Sequence, residues 1–214
     1  SVPGNVFFTG TVNVDETTYM FSPKVLDRAN TIEFNEVHLE SYGSDAPWES
    51  GEFRLRDGVE VEELLRTQTE RGKPAPEDWT ALPAGYKERL RGLHAVMGAH
   101  NLHFGYRVAN EVARYLLLGA EHVGEEALED AFDLQILQKV LPKLAGNRAR
   151  LYQPMRELLQ WCVDPDAVTG AAAALAGSAA AVVAIENARY PRSAAKLKRM
   201  LETLETVGFV SFVE

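Results

Sequence analysis

The chain has one cysteine, no excess of basic charge and no long apolar run, and each shortage removes a class of function. A single thiol, Cys162, cannot form an intrachain disulfide and fits a reducing compartment, the cytoplasm. It lies in LLQWCVD among apolar residues with no activating base beside it, so its expected role is a small buried hydrophobe, not a nucleophile. Acids outnumber bases to give a net charge of -9 and a pI near 5.1. That disfavours nucleic-acid binding through the whole surface, because phosphate affinity comes from neutralisation by Lys and Arg. A local basic cluster remains at Lys196, Lys198 and Arg199. No basic stretch followed by an apolar core opens the chain, so no secretory signal is legible. The alanine-rich GAAAALAGSAAAVVAIENA from Gly170 is interrupted by Gly177 and Ser178. Its apolar part falls short of the roughly 20 residues a membrane helix needs, and no membrane partner is expected.

What is present is ordinary globular material: 214 residues, 46% hydrophobic and 25% charged, enough for one large domain or two small ones. Val6 to Val12 is apolar and β-branched without alternation, the pattern of a strand covered on both faces. Ser22-Pro23 reads as an N-cap followed by proline at the first helical position, opening a short helix through Ala29. Thr31 to Phe34 makes a second short strand. Strand, polar loop, helix and strand form only part of a parallel sheet, whose remaining strands are expected upstream of Ser1.

Beyond Val37 the texture turns to a polar loop, SYGSDAPWESG, and then to helices. They are expected at Val59 to Arg71, Ala84 to Ala99, Tyr106 to Leu118, Glu125 to Leu144, Arg148 to Val163, within Val168 to Asn187, and Ser193 to Val207. The clearest stripe is Leu128, Ala131, Phe132, Gln135, Ile136, Lys139 and Val140, at three-to-four spacing. In the last helix Leu197, Met200, Leu201 and Leu204 make the core face, with lysines outside, and GFVSFVE reads as a short strand or an extended tail after Gly208. No repeat at a fixed period is visible. The fold class is an α/β remnant followed by mainly α structure.

Asn13 stands at the end of the first strand, where open α/β sheets meet their ligands. Arg28 closes the short helix. Together with the loop between them, GTVNVDETTYMFSPKVLDRANTIEF resembles the closing part of the nucleotide-hydrolysing core of AAA+ ATPases, most closely the McrB-like motors of modification-dependent restriction. The resemblance continues in LHFGYRVANEVARYL, DLQILQKVLPKLAGNR and YPRSAAKLKRMLETLETVGFVSF. It divides the chain into a core segment at 1–40 and a helical lid at 41–214 with an alanine-rich insertion near 170–187.

The resemblance also assigns roles. Asn13 is the expected sensor 1, bonding the γ-phosphate or the attacking water, with Asp15 and Glu16 in the acidic part of that motif. Arg28 is the expected arginine finger, reaching a neighbouring subunit's nucleotide, where such a group is worth about 10³ to 10⁵ in rate. Arg107, in FGYR at the start of a lid helix, is the expected sensor 2; the alternative for it is an i,i+4 pair with Glu111. The cofactor is ATP or GTP with Mg²⁺, ATP being favoured. The partners are further copies in a ring, a hexamer by analogy, with a nuclease and DNA as further candidates.

The chain departs from the family pattern in having neither a GxxxxGK[ST] phosphate loop nor a strand ending in paired acids, and DETT replaces the usual acidic-arginine arrangement. On its own it is therefore expected to be inactive, the missing parts preceding Ser1. His94, His100 and His103 match no zinc spacing, so a metal is not expected. A different class of reading is a non-catalytic helical regulator or interaction module whose C-terminus, with its lysines, glycine turn and strand, forms a winged-helix-like DNA reader. The companion acids Glu202 and Glu205 cancel the basic face and count against it.

Overall fold

A computed structural model describes residues 74–168 and 187–212, together with 6, 8–11, 22, 25 and 28–32. Within these residues the chain is mainly α. Helix α1 (Pro76–Ala81) begins with proline at its first position, and Asp78 Oδ2 accepts from Ala75 N at 2.8 Å, closing the first turn. Helix α2 (Ala84–Gly98) buries Leu90, Leu93 and Met97, one stripe at three-to-four spacing. It ends where Asn101 takes a left-handed φ of 58° and Leu102 N bonds back to Met97 O at 2.9 Å. Helix α3 (Tyr106–His122) buries Val108, Val112, Ala113 and Leu116.

The long helix expected from Glu125 to Leu144 is built from four geometries. A 3-10 turn at Glu125–Ala127 leads into helix α4 (Leu128–Gln135), then a π-helical turn at Ile136–Val140 and a 3-10 turn at Leu141–Lys143. Pro142 has no N–H to offer the carbonyl of Gln138, so regular α geometry cannot continue through it. The expected stripe nonetheless holds in full: Leu128, Ala131, Phe132, Gln135, Ile136, Lys139 and Val140 are all buried.

Strand β1 (Gly146–Asn147) precedes helix α5 (Arg148–Val163), which is capped by Asn147 Oδ1 accepting from Arg150 N at 3.1 Å. After the short helix α6 (Pro165–Val168), the chain returns at helix α7 (Pro191–Val207) and ends in strand β2 (Phe209–Val210). The strands pair antiparallel, Gly146 with Val210 and Asn147 with Phe209. Gly208, at φ 82°, makes the left-handed turn that lets α7 stop and β2 begin. Of the two forms expected for the terminal segment, the strand is the one that exists, and its partner lies upstream of α5.

The core sits where α5 and α7 run along one another. Trp161 and Tyr190 stack, and Phe132 packs tilted against both, with ring centroids 5.3 to 6.5 Å apart; Tyr86 joins from α2. Leu197, Met200, Leu201 and Leu204 are buried as the sequence indicates. Each such side chain contributes on the order of 1.5–3 kcal/mol. Cys162 is buried beside them, and burial together with the Asp133 charge pushes its thiol well above the usual range, so it is inert at neutral pH.

The N-terminal segment differs from expectation. At positions 6, 8–11 and 31–32 the backbone forms no strand, and Val6, Phe8 and Ile32 are exposed. A strand exists only with a neighbour to receive its backbone bonds, and among the described residues β1 and β2 pair only with each other. The backbone turn near the expected finger is formed: Val25 N donates to Ser22 O, and Arg28 N and Ala29 N both donate to Val25 O, at 2.9 to 3.0 Å. The helices expected at 59–71 and within 168–187 lie outside the described residues, apart from their end positions Val168, which closes α6, and Asn187. Among the described residues no helix is long and apolar enough to cross a membrane.

Candidate functional site

Helix starts carry unsatisfied N–H groups and partial positive charge, so how each start is finished decides what it can do. At α7 the finish is internal: Asp133 accepts from Arg192 N at 2.8 Å and Ser193 N at 2.9 Å, while Ser193 Oγ donates to Asp133 O at 3.0 Å. Burial raises the Asp133 carboxyl, and its bonds to Ser193 and Arg192 pull in the opposite direction. The start of α3 is left bare. Its N-cap is Gly105, no side chain caps it, and no acid lies in the first turn.

Arg107 stands in that bare first turn and is exposed. Among the described residues it has no ion-pair partner. Glu111, the residue one turn along that could neutralise it, instead faces Lys139 Nζ at 2.8 Å. The i,i+4 pair considered for Arg107 is therefore not the one formed. Beside this turn lies a half-open cleft of about 720 Å³, with Trp79, His94, His103, Phe104, Tyr106 and Asn110 among its lining residues. The walls are aromatic: His94 stacks edge-on against Phe104 and lies 5.3 Å from the His103 ring, and the Arg91 guanidinium lies 5.8 Å from the Trp79 ring centroid. Tyr106 is 91% exposed at the rim. His100 points elsewhere, its Nε2 2.7 Å from Glu157 Oε2, so the three histidines do not converge on one point.

The other charged cluster near α2 is saturated. Glu129 on α4 accepts from Tyr86 Oη at 3.0 Å and from Arg189 Nε and Nη2 at 3.0 and 2.9 Å, and it also pairs with Arg89. Burial alone would raise its carboxyl, but the hydrogen bonds from Arg189 and Arg89 outweigh it and hold the carboxyl below the usual range. The same burial, with the Glu129 charge, pushes the Tyr86 phenol up to about 12. This node ties α2, α4 and the approach to α7 together and offers no free group.

Of the residues singled out in the sequence, Asn13, Asp15 and Glu16 lie outside the described residues. Arg28 is exposed in the turn that follows Val25 and, like Arg107, has no side-chain partner among the described residues. The structure connects the two arginines through a pair that the motifs do not flag. Lys139 donates to Ala29 O at 3.1 Å while facing Glu111. The available signal was the lysine standing in a mainly apolar stripe. At the C-terminus, Lys196 is buried and lies over the Phe212 ring at 4.7 Å, which leaves only Lys198 and Arg199 of the basic cluster exposed.

These elements define a mainly helical domain closed by a short antiparallel ribbon, with a bare helix start opening on an aromatic cleft. Residues 63–209 match the family described as a domain of unknown function (DUF8727), and the chain belongs to that family. The match includes Arg107, Glu111 and Lys139 and leaves Asn13 and Arg28 outside it. No curated protein and no solved structure matches the chain.

Proposed function

We propose that this chain is the C-terminal part of a McrB-like AAA+ nucleoside triphosphatase, acting in the cytoplasm as a ring and coupling ATP or GTP hydrolysis to remodelling of DNA or protein. Residues 1–40 close the α/β core, Asn13 with Asp15 and Glu16 serves the water and γ-phosphate, and Arg28 serves the neighbouring subunit. The helical body is the lid. Restriction with a nuclease partner is the biological setting that the resemblance suggests.

The observation that supports this reading best is Arg107, an exposed arginine without an ion-pair partner among the described residues, in the uncapped first turn of a 17-residue helix. Uncapped amides, the helix dipole and a guanidinium together form an arrangement suited to phosphate oxygens. The aromatic cleft beside it would receive the flat part of a nucleotide. Mg²⁺ would be held by the triphosphate and by acids of the core; among the described residues no three His, Cys, Asp or Glu side chains are grouped to hold a metal ion.

The test is nucleotide binding and hydrolysis by the protein extended upstream of Ser1, with Arg107→Ala and Arg28→Ala compared singly and Arg28→Ala also mixed with a phosphate-loop variant. Arg107→Ala is expected to weaken nucleotide binding by each subunit itself. Arg28→Ala is expected to abolish turnover yet recover part of it in mixed rings. A protein that binds no nucleotide, but shifts duplex DNA in an anisotropy titration, would replace this reading with the helical DNA-binding module.

A further inference from the structure

We infer that Lys139 is a positioning residue that holds the Arg28 turn against the helix carrying Arg107, with Glu111 as its counter-charge; this rests on the nucleotide-hydrolysing role given to those arginines above. Lys139 lies in the π-helical turn Ile136–Val140 and is 5% exposed. A buried ammonium is costly unless paired and hydrogen-bonded, so its partners are not incidental. It has two. One is Glu111 Oε2 on α3 at 2.8 Å, a close contact held by charge, because the geometry gives that oxygen no aligned hydrogen bond. The other is the Ala29 carbonyl at 3.1 Å, the residue directly after Arg28.

The consequence is geometric. Glu111 is one helical turn from Arg107, and Ala29 is one residue from Arg28, so a single ammonium spans the short path between the two arginines. A shift of α3 when Arg107 meets phosphate would move Glu111, and with it Lys139 and the turn that carries Arg28. The finger offered to one subunit is thereby tied to the occupancy of its own subunit. π-helical turns occur frequently at functional sites, and this one carries the bridging lysine.

The test has two independent readouts. The first is hydrogen exchange at the Arg28 and Ala29 amides, both bonded to Val25 O, in the 214-residue chain. Lys139→Met keeps the apolar stem, and the double variant Glu111→Gln/Lys139→Met avoids an uncompensated acid. Either is expected to speed exchange at these two amides about tenfold while α5 and α7 exchange as before, and Lys139→Arg, which can still bridge, restores protection. The second is turnover in the upstream-extended protein. Since a misplacement of about 1 Å can cost about 10² in rate, Lys139→Met is expected to lower kcat by that order with the nucleotide KM little changed, and to fail as the finger donor in mixed rings. Unchanged exchange at Arg28 and Ala29 in both variants overturns the positioning role whatever the enzyme does. Faster exchange combined with an Arg28→Ala protein that hydrolyses normally overturns the hydrolytic reading, and the catalytic half of this inference falls with it.

Discussion

Helices α3 and α7 are of equal length, 17 residues each, yet their N-termini are finished in opposite ways. At α7 a buried aspartate from another helix occupies the first-turn amides, and the start of the helix becomes part of the core. At α3 a glycine precedes the helix, no acid lies in the first turn, and Glu111, one turn along, is engaged by Lys139. The first finish gains stability by spending the helix's anion site on the protein's own carboxylate. The second gives up that gain and keeps the site free. The difference separates a helix start closed by the protein's own carboxylate from one that no side chain caps.

The sharpest way to break this contrast is to remove the internal cap. Asp133→Ala leaves the Arg192 and Ser193 amides without their acceptor and is expected to destabilise the domain by about 3 kcal/mol, read from urea unfolding. Asp133→Asn, which keeps one oxygen acceptor, should lose less. The matching change at α3 should behave in reverse. Arg107→Ala removes an exposed side chain with no described partner, so the unfolding midpoint is expected to stay within the equivalent of about 0.5 kcal/mol. Nucleotide affinity in the extended protein should fall by about 10 to 100-fold, measured by calorimetry, as expected for losing one charged hydrogen bond. If Arg107→Ala unfolds the protein as Asp133→Ala does, the contrast is wrong.

How much of this was legible in the sequence follows from the range of each interaction. The stripe from Leu128 to Val140 and the core face of α7 are periodic, local signals, and every residue named from them is buried. The break into π and 3-10 turns was only half legible, because Pro142 announces a defect without saying how the preceding turn will absorb it. Asp133 as a cap for α7 and Lys139 as a bridge to Ala29 join residues about 60 and 110 positions apart, and no spacing rule reaches that far. The strand expected at Val6 to Val12 failed where it is described because apolar, β-branched composition records only a willingness to pair. Partners decide the outcome. Arg107 was singled out only by family resemblance, and the cleft beside it, assembled from α1, α2 and α3, left no sign in the sequence.

A smaller effect separates the two kinds of acid. The Glu129 carboxyl is held below its ordinary value, so its contribution is present above the unfolded carboxylate pKa and lost as pH falls through the lower folded value. Asp133 is raised; its protonation favours the folded state, a contribution complete below the unfolded pKa and lost as pH rises through the folded one. Between about pH 5 and 3, Glu129 therefore drives acid destabilisation while Asp133 opposes it. Glu129→Gln should lower stability at pH 7 by under about 1 kcal/mol, since the group is partly solvated, and should flatten the acid limb of the stability profile. A steeper limb in that variant would reassign the acid sensitivity to other carboxylates, Glu157 beside His100 first among them.

The smallest expected change converts one helix start into the other. Gly105 has an ordinary φ of -93°, and nothing lies within 4 Å of where its Cβ would stand, so Gly105→Asp meets neither strain nor collision. An aspartate there can accept from the first-turn amides and complement the helix dipole, as Asp133 does for α7. Because glycine is itself a tolerable N-cap, the gain in stability is only about 0.5 kcal/mol. The same carboxylate would sit where a phosphate is expected and beside Arg107, so nucleotide affinity should fall even as the melting temperature rises slightly. Gly105→Ser, which caps without charge, should give part of the stability and little of the affinity loss. Both properties rising together in the aspartate variant would mean that α3 is a helix start left bare by chance.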